Sequence, residues 1–293
     1  MTKDNRNTIL SESCKIISHQ AFKGEQFIVT VLAPEISKRA LAGSFVHIQT
    51  DSALAMRRPI SIMQADPESG TITLLYKVLG HGTKLLSQRK IGESLDILGP
   101  IGTPFELHSD KTIPLLIGGG VGLPPMVFIA DTIQKFKKQF TPFVIMGSEV
   151  PFPFQTQPSK LTVNGIPDAV NATMPLLEEW NIASRLCSLQ NYTGCYQGYV
   201  TDLAKLWLAS LSPQQLAKVE IFSCGPNAML AAVSKLAKQY DLPCQVSLEE
   251  YMACAVGGCA GCVVKIKTKN EVAMKRVCVD GPVFDAHQVV MFQ

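Results

Sequence analysis

The chain has 293 residues, of which 46% are hydrophobic and 17% are charged, with a formal net charge of +3. This length allows about two domains with real hydrophobic cores and excludes a small disulfide-stapled module. The charged fraction lies below the roughly 25% of an average soluble chain. No run of like charges forms a basic stripe or an acidic tail, so we expect no nucleic acid partner.

Two segments bear on the location of the protein. Met1–Thr8 is polar and lacks the apolar run of a secretory signal, which predicts a cytoplasmic protein. Thr112–Ala130 contains no charged residue and is long enough to suggest a membrane-spanning helix. Its four glycines and three prolines favour instead a strand, a turn and the start of a buried helix. We therefore predict no membrane span.

The first part of the chain carries short apolar segments separated by turn signals. This spacing is typical of an antiparallel sheet or barrel, and it predicts a β-barrel domain over residues 1–110. The predicted strands are Cys14–Ile17, Gln26–Leu32, Ser44–Gln49, Ile60–Gln64, Thr71–Val78 and Ser94–Leu98.

From Thr112 onward, strands and helices alternate, which predicts a mostly parallel sheet flanked by helices over residues 111–245. A small cysteine-rich domain over residues 246–293 would follow. The predicted strands are Ile113–Ile117, Pro142–Met146, Ala183–Leu189, Lys218–Ser223 and Gln245–Leu248. The predicted helices run over Leu123–Lys138, from Thr201 onward and over Pro226–Tyr240.

The segment Val150–Asn171 interrupts this alternation. It is rich in proline and polar residues, which disfavours continuous regular structure. We interpret it as a surface loop in preference to a site of partner contacts.

Five of the nine cysteines lie in the last fifty residues. Cys254, Cys259 and Cys262 form a C-x4-C-x2-C motif, and Cys278 follows after fifteen residues. This is the plant-type spacing of a [2Fe–2S] cluster, in which each of two irons needs two protein ligands. Zinc sites use two compact pairs of ligands, so the lone fourth cysteine favours iron and sulfur over zinc and over inert thiols. Cys244 falls outside the spacing and is expected in the core.

Small residues separate these cysteines. Gly257, Gly258 and Gly261 suit a loop that needs open backbone angles and amides directed at sulfur. Ala255 and Ala260 would leave further room for a cluster.

Two loops predict a nucleotide site at one edge of the parallel sheet. A glycine-rich turn follows the strand at Ile117 and precedes a helix, where backbone amides can approach a pyrophosphate. A packing turn is the alternative explanation. The turn glycines are Gly118, Gly119, Gly120 and Gly122. The second loop consists of Cys224, Gly225 and Pro226.

The nucleotide would be a nicotinamide dinucleotide. Cys224 could contact the nicotinamide or only fill the end of a strand. No Arg or Lys occurs in Gly147–Glu149 or in Gln190–Asn191, where a 2′-phosphate would be held. The sequence therefore favours NAD over NADP.

A further motif, Met56–Ser61, places an arginine at the entry to an apolar strand with a hydroxyl three residues later. Followed by the Leu75–Lys77 segment, Gly82-Thr83, the glycine turn and the cysteines, it resembles the order of parts in the ferredoxin-reductase family. The resemblance is strongest to electron-transfer subunits of type B dihydroorotate dehydrogenase and covers about residues 15–279.

The resemblance implies an FAD site on the barrel. By it, Arg58 would contact the diphosphate and Ser61 would lie near the reactive flavin nitrogen. The other residues of the implied pocket are Pro59, Ile60, Leu75, Tyr76, Lys77, Gly82 and Thr83. Glu249–Cys254 is similar to the acidic segment that precedes the family's first cluster ligand.

These sites together predict an oxidoreductase with no catalytic acid or base, because hydride transfer requires only positioned cofactors. The implied partner is a catalytic, FMN-bearing dihydroorotate dehydrogenase subunit in a heterotetramer, since a (β/α)8 barrel does not fit in the remaining residues. Electrons would pass through the cluster and FAD to NAD+. The alternatives are a reductase subunit that links NAD(P)H to ferredoxin or another iron–sulfur partner, and a nonredox zinc protein.

Overall fold

The computed structural model describes residues 9–136, 139–269 and 271–292, and the predictions for Met1–Thr8 and for the last two residues of the Leu123–Lys138 helix lie outside them. The chain forms two compact units. One contains the residues up to Phe105 together with Ser247–Val283. The other contains Glu106–Val246 and the residues from Phe284 onward. The division into three domains, with boundaries after residues 110 and 245, stays a prediction.

The first unit contains a closed six-stranded antiparallel barrel in the order β1-β2-β5-β4-β3-β6. All six predicted strands form. Their bounds are β1 Leu10–Phe22, β2 Gln26–Leu32, β3 Phe45–Gln49, β4 Arg58–Asp66, β5 Thr71–Lys77 and β6 Ser94–Ile101. Two short helices, α1 Pro34–Arg39 and α2 His81–Ser87, lie between strands.

Alternation along the strands builds the barrel core. In β2, Val29 and Val31 are fully buried, whereas the intervening residue Thr30 is half-buried. Closure pairs β1 with β6, which leaves neither strand as an open edge. Apolar side chains at every second position of the strands therefore fill the barrel interior, as the sequence pattern predicts.

The second unit contains most of a seven-stranded sheet in the order β12-β11-β8-β7-β13-β14, followed by Val283–Asp285. The pairs from β12 to β13 are parallel. The strands are β7 Ile113–Gly119, β8 Phe143–Gly147, β11 Ala183–Ser188, β12 Tyr196–Gln197, β13 Val219–Cys224 and β14 Cys244–Ser247. A separate ribbon pairs β9 Gln157–Pro158 with β10 Ala172–Thr173.

The helices of this unit connect successive strands. They are α3 Leu123–Phe136, α4 Pro175–Glu179, α5 Val200–Ser210, α6 Pro213–Leu216 and α7 Asn227–Gln239. Because β7 is flanked by β8 and β13, the carboxyl ends of three strands meet at one edge of the sheet. The predicted fold class is thus confirmed. Among the described residues, no helix has both the length and the apolar character needed to cross a membrane.

The cysteine-rich segment belongs to the first unit. It contains an antiparallel hairpin of β15 Val263–Lys267 and β16 Val272–Arg276, which the sequence analysis did not predict. A backbone hydrogen bond from Thr103 N to Gly281 O, over 2.5 Å, attaches the segment to the residues after β6. Within the segment, Leu248 N donates to Pro282 O over 2.9 Å.

Candidate functional site

The four cysteines of the predicted cluster motif come together as two pairs. The Sγ atoms of Cys254 and Cys259 lie 3.3 Å apart, and those of Cys262 and Cys278 also lie 3.3 Å apart. Cys259 is exposed and Cys254 half-buried, whereas Cys262 and Cys278 are both buried. One pair therefore lies toward the surface and the other in the interior.

The loop between the thiols directs backbone amides at sulfur. Cys259 N donates to Cys254 Sγ over 3.4 Å, and Gly261 N donates to Cys259 Sγ over 3.4 Å. The left-handed backbone that this loop requires falls on Gly257, at φ 84°, but also on Ala255 and Ala260, at 55° and 52°. The two other loop glycines, Gly258 and Gly261, do not adopt it, and the two alanines hold strained backbone conformations.

The same amides act on thiol ionisation. Burial acts to raise the pKa of Cys254, but the backbone amides of Cys259, Val256 and Gly258 outweigh it and lower that pKa to about 7. Burial, reinforced by Cys262, raises the pKa of Cys278 to about 12. Since metals bind the thiolate, the loop prepares Cys254 for ligation, and Cys278 needs the positive charge of a metal to lose its proton.

The arrangement of the thiols fits two metal ions better than one. Two thiolates on one tetrahedral metal, at about 2.3 Å from it, stand roughly 3.7 Å apart, which is close to the spacing within each pair. Across the described ranges, no three His, Cys, Asp or Glu side chains converge as ligands of a single ion. A [2Fe–2S] cluster, with two protein ligands on each iron, meets both observations.

On the barrel, the guanidinium of Arg58 lies over Gly82 at the first turn of α2. A Cβ atom added to Gly82 would fall within 2.7 Å of Arg58 Nη2 and closer still to Nε. Arg58 Nη1 donates to the backbone carbonyls of Met56 and Arg57. Within the described part of the chain, no carboxylate pairs with Arg58. The structure thus brings together two residues of the predicted FAD pocket and leaves the cation without an acidic partner.

The neighbouring arginine has a different role. Arg57 Nη2 pairs with Asp96 Oδ2 at 2.8 Å, and Arg57 Nη1 donates to Asp96 O over 2.8 Å. This pairing lowers the pKa of Asp96. Arg57 therefore anchors β4 to β6 and is not available to an anion in the way that Arg58 is.

Other residues of the predicted FAD pocket have internal roles as well. The hydroxyl of Tyr76 hydrogen-bonds His19 Nε2 at 2.8 Å, and its ring stacks on Phe27, so the Tyr76 side chain is 3% exposed. The Thr83 hydroxyl accepts from Leu79 N and from Gly80 N and closes the turn before α2. Ser61 and Lys77 are half-buried on the barrel strands.

His47, which the sequence analysis missed, lies between the barrel and the cysteine-rich segment. It is 1% exposed and pairs with Pro59 in the β3–β4 register. Neither ring nitrogen makes a hydrogen bond of good geometry, although backbone groups of Arg57 and Met252 are close enough to affect its pKa. Burial, followed by the charge of Arg57, lowers that pKa to about 4. Met252, two residues before Cys254, therefore lies close to His47, which is also close to Arg57 of the arginine motif.

In the second unit, the two predicted nucleotide loops are adjacent. Cys224 pairs with Gly118 in the β13–β7 register. A Cβ atom on Gly122 would collide with the carbonyl of Cys224, and one on Gly119 would lie 2.5 Å from Met229 Sδ. Close packing thus accounts for these glycines. Gly120 differs, since it has φ 55° and nothing within 4 Å of its Cβ position.

The start of α3 offers fewer donors than predicted. Pro124 and Pro125 occupy its first turn and have no N–H group. Leu123 N bonds to Gly120 O, so the amides left for a pyrophosphate are those of the glycine turn itself. Cys224 is fully buried at the end of β13, and its contact with a nicotinamide stays a prediction.

Comparison with known proteins gives a consistent family. A model of the iron-sulfur cluster binding domain of dihydroorotate dehydrogenase B matches residues 249–290. The electron transfer subunit of dihydroorotate dehydrogenase B (NAD(+)) from Desulforamulus reducens is 33% identical over 261 residues, covering 88% of this chain and 90% of the relative. The Streptococcus mutans protein of the same name is 31% identical over 288 residues, covering 97% and 99%.

Solved structures agree on the fold. An NADH-dependent reduced ferredoxin-NADP oxidoreductase aligns with TM-score 0.76 at 24% identity, covering 95% of this chain and 90% of that one. The ferredoxin reductase of carbazole 1,9a-dioxygenase aligns with TM-score 0.61 at 20% identity, covering 80% and 67%. These likenesses support the ferredoxin-reductase-like fold. On the sequence relatives, the chain belongs to the family of electron transfer subunits of dihydroorotate dehydrogenase B (NAD(+)).

Proposed function

We propose that this chain carries electrons from a dihydroorotate-oxidising partner through a [2Fe–2S] cluster and FAD to NAD+, in pyrimidine biosynthesis. The observation that carries the proposal is the meeting of four thiols as two pairs in a segment packed on the barrel beside the arginine motif. Oxidation of one dihydroorotate releases two electrons, and NAD+ takes up those two electrons and one proton.

Each thiol pair would hold one iron. Cys254 and Cys259 would bind the iron nearer the surface, and Cys262 and Cys278 would bind the buried one. The amides of Cys259 and Gly261 would donate to the bound sulfurs and stabilise their negative charge.

The barrel would hold FAD through its diphosphate. Arg58 supplies an unpaired cation, and Gly82 leaves the space that this guanidinium occupies. Bound FAD would exchange two electrons with a nicotinamide and single electrons with the cluster. The remaining residues proposed for the pocket are Pro59, Ile60, Ser61, Leu75, Tyr76, Lys77 and Thr83. Of these, Tyr76 and Thr83 would act by holding the main chain in place.

The second unit would bind NAD(H) at the carboxyl edge of its sheet. The amides of the glycine turn would face the pyrophosphate, and open Gly120 gives the backbone access that a ligand needs. Gly118, Gly119, Gly122, Cys224, Gly225 and Pro226 would shape the turn by packing against one another.

The catalytic partner of this family would be an FMN-bearing subunit, assembled with this chain as a heterotetramer in the cytoplasm. The test is copurification at native expression with cofactor analysis. We expect a dihydroorotate-oxidising subunit to accompany the chain, and NAD+ reduction by dihydroorotate to stop when the two are separated. A chain that purifies without flavin or iron–sulfur absorption, or whose separation leaves NAD+ reduction intact, would overturn the proposal.

The alternative of an NAD(P)H-linked reductase for ferredoxin rests on fold likeness below 25% identity. Five relatives above 30% identity carry the dihydroorotate dehydrogenase B name. The alternative would be favoured if reduced ferredoxin supported full NAD+ reduction while dihydroorotate with the copurified partner supported none.

A further inference from the structure

The latter part of the loop segment Val150–Asn171, from Ser159 onward, lines an open cavity in the second unit together with Arg185. Its volume is about 570 Å³, which lies within the range of roughly 300–1,000 Å³ of small-molecule sites. The lining is mainly polar. Its polar and charged side chains are Ser159, Lys160, Thr162, Asn164, Asp168, Asn171 and Arg185.

Arg185 is the buried charge of this cavity. It lies on β11 and is 5% exposed. Nη1 donates to Ser184 O and Nη2 donates to Leu161 O, each over 2.7 Å. A guanidinium has five N–H donors, so three remain, and that of Nε has no hydrogen-bond partner. The arginine thus ties the loop to the sheet and keeps unused hydrogen-bonding capacity.

Neither acidic group near the cavity forms an ion pair with Arg185: Asp168 lines the cavity as an exposed residue, and Glu178 acts on Arg185 only weakly. Glu178 acts to raise the pKa of Arg185, against the larger lowering effect of burial. The Glu178 carboxylate is occupied elsewhere: Oε2 accepts from Ser159 Oγ over 2.8 Å and Oε1 accepts from Lys160 N over 2.6 Å. In the part of the chain that the structure describes, no carboxylate forms an ion pair with Arg185.

We propose that this cavity binds a small polar molecule bearing one oxyanion group, with Arg185 as the anion-binding residue. A buried charge is retained where a partner neutralises it, and here the partner would be the ligand. The planar guanidinium matches the two oxygens of a carboxylate or phosphate. Exposed Lys160 and exposed Asp168 offset each other, so the lining keeps the positive charge of Arg185. The amide and hydroxyl side chains would bind the rest of the molecule. This site is separate from the proposed electron transfer.

The test is hydrogen exchange of the FAD-loaded protein, titrated in separate arms with inorganic phosphate and with acetate against sodium chloride of equal ionic strength. We expect saturable protection of residues 159–171 with at least one of these anions, and the two arms tell phosphate from carboxylate. Absence of saturable protection in both arms would overturn the proposal. So would protection spread evenly over the second unit, which is the general stabilisation that phosphate gives by exclusion from protein surfaces.

Variants assign the effect to the cavity. Arg185→Lys keeps the charge and loses the planar fork, so we expect anion binding at least five-fold weaker. Lys160→Gln changes only an exposed rim residue and should weaken binding about two-fold, which keeps the test decisive if Arg185→Lys does not fold. Lys238→Gln, on α7 outside the cavity, is the matched control and should bind as the unchanged protein does. If a folded Arg185→Lys protein and the Lys160→Gln protein both bound the anion as tightly as the unchanged protein does, the proposal would be contradicted.

Discussion

At the scale of single residues, the contact between Arg58 and Gly82 gives the sharpest prediction. In Gly82→Ala, the new Cβ would displace the Arg58 guanidinium, which is the mobile end of a side chain, so the fold should tolerate it. A charge-assisted hydrogen bond contributes about 1.5–3 kcal/mol, so we expect FAD affinity to fall by roughly ten-fold or more. Flavin fluorescence during dilution measures this affinity.

The control for this change is Gly80→Ala, because a Cβ on Gly80 has nothing within 4 Å. It should leave FAD affinity unchanged. Equal loss of affinity in both variants would show that the turn, and not the guanidinium, holds the flavin.

A second residue-scale prediction concerns His108. The hydrogen bond to Glu220, at 2.9 Å, raises the pKa of His108 above its ordinary 6.5. The pairing therefore stabilises the fold fully below pH 6.5, and the stabilisation is lost as pH rises through the raised pKa. Since the His108 side chain is 48% exposed, solvent screening limits the contribution to under about 1 kcal/mol.

NMR titration of the His108 ring measures this pKa. We expect a midpoint above 6.5 in the unchanged protein and a lower midpoint in Glu220→Gln. An identical midpoint in the two proteins would contradict the role given to Glu220.

Sequence motifs located the candidate residues better than they predicted what each side chain does. The four cysteines of the motif meet as two pairs and Arg58 lies over Gly82, while their roles as cofactor ligands stay predictions. The side chains of Tyr76 and Thr83 are instead engaged by His19 and by the Gly80 turn. His19 is far from Tyr76 in sequence, whereas Gly80 is close to Thr83. Neither hydrogen bond can be predicted from the spacing of residues in a motif.

At the scale of elements, the β7–α3 turn depends on close backbone approach. In Gly122→Ala, the Cβ would collide with the backbone of Cys224, which cannot rotate away. Overpacking of this kind costs about 1–3 kcal/mol, so we expect a lower unfolding temperature of the second unit by calorimetry.

Gly120→Asn is the comparison for this turn. Its Cβ position is open, and asparagine tolerates the left-handed backbone at φ 55°. It should keep an unfolding temperature within about two degrees of the unchanged protein. If Gly122→Ala were as stable as Gly120→Asn, the packing account of the turn glycines would be wrong.

Periodicity predicted most elements because apolar strands and amphipathic helices recur with periods that the sequence displays. The β15–β16 hairpin was missed because β16 exposes its apolar residues Val272 and Met274, which obscures the pattern of a buried strand face. Alternation in Val263–Lys267, with Val264 and Ile266 buried, was the available signal. The two prolines at the start of α3 were also visible in the sequence and limit the donors of that helix.

At the scale of the whole molecule, the order of motifs along the chain carried the family assignment, which the relatives confirm. The attachment of the cysteine-rich segment to the barrel was not predictable, because it rests on contacts between residues far apart in sequence, such as Thr103 with Gly281. That attachment places the thiols in the same compact unit as the arginine motif.

A relay through the cluster predicts that Cys259→Ser separates two activities. NADH oxidation with an artificial acceptor that takes electrons from FAD should be retained, whereas transfer to the catalytic partner should fall by at least ten-fold. Cys195→Ser, at a half-buried thiol outside the motif, should keep both activities. Equal loss of both activities in Cys259→Ser with FAD still bound would count against the relay.

The most direct test of the account is anaerobic addition of NADH to the purified chain, followed by electron paramagnetic resonance at low temperature. The account predicts bleaching of the flavin absorption and the appearance of a reduced [2Fe–2S] signal in the same sample. A bleached flavin with no cluster signal, in protein whose cluster a chemical reductant does reduce, would contradict electron passage between the two cofactors.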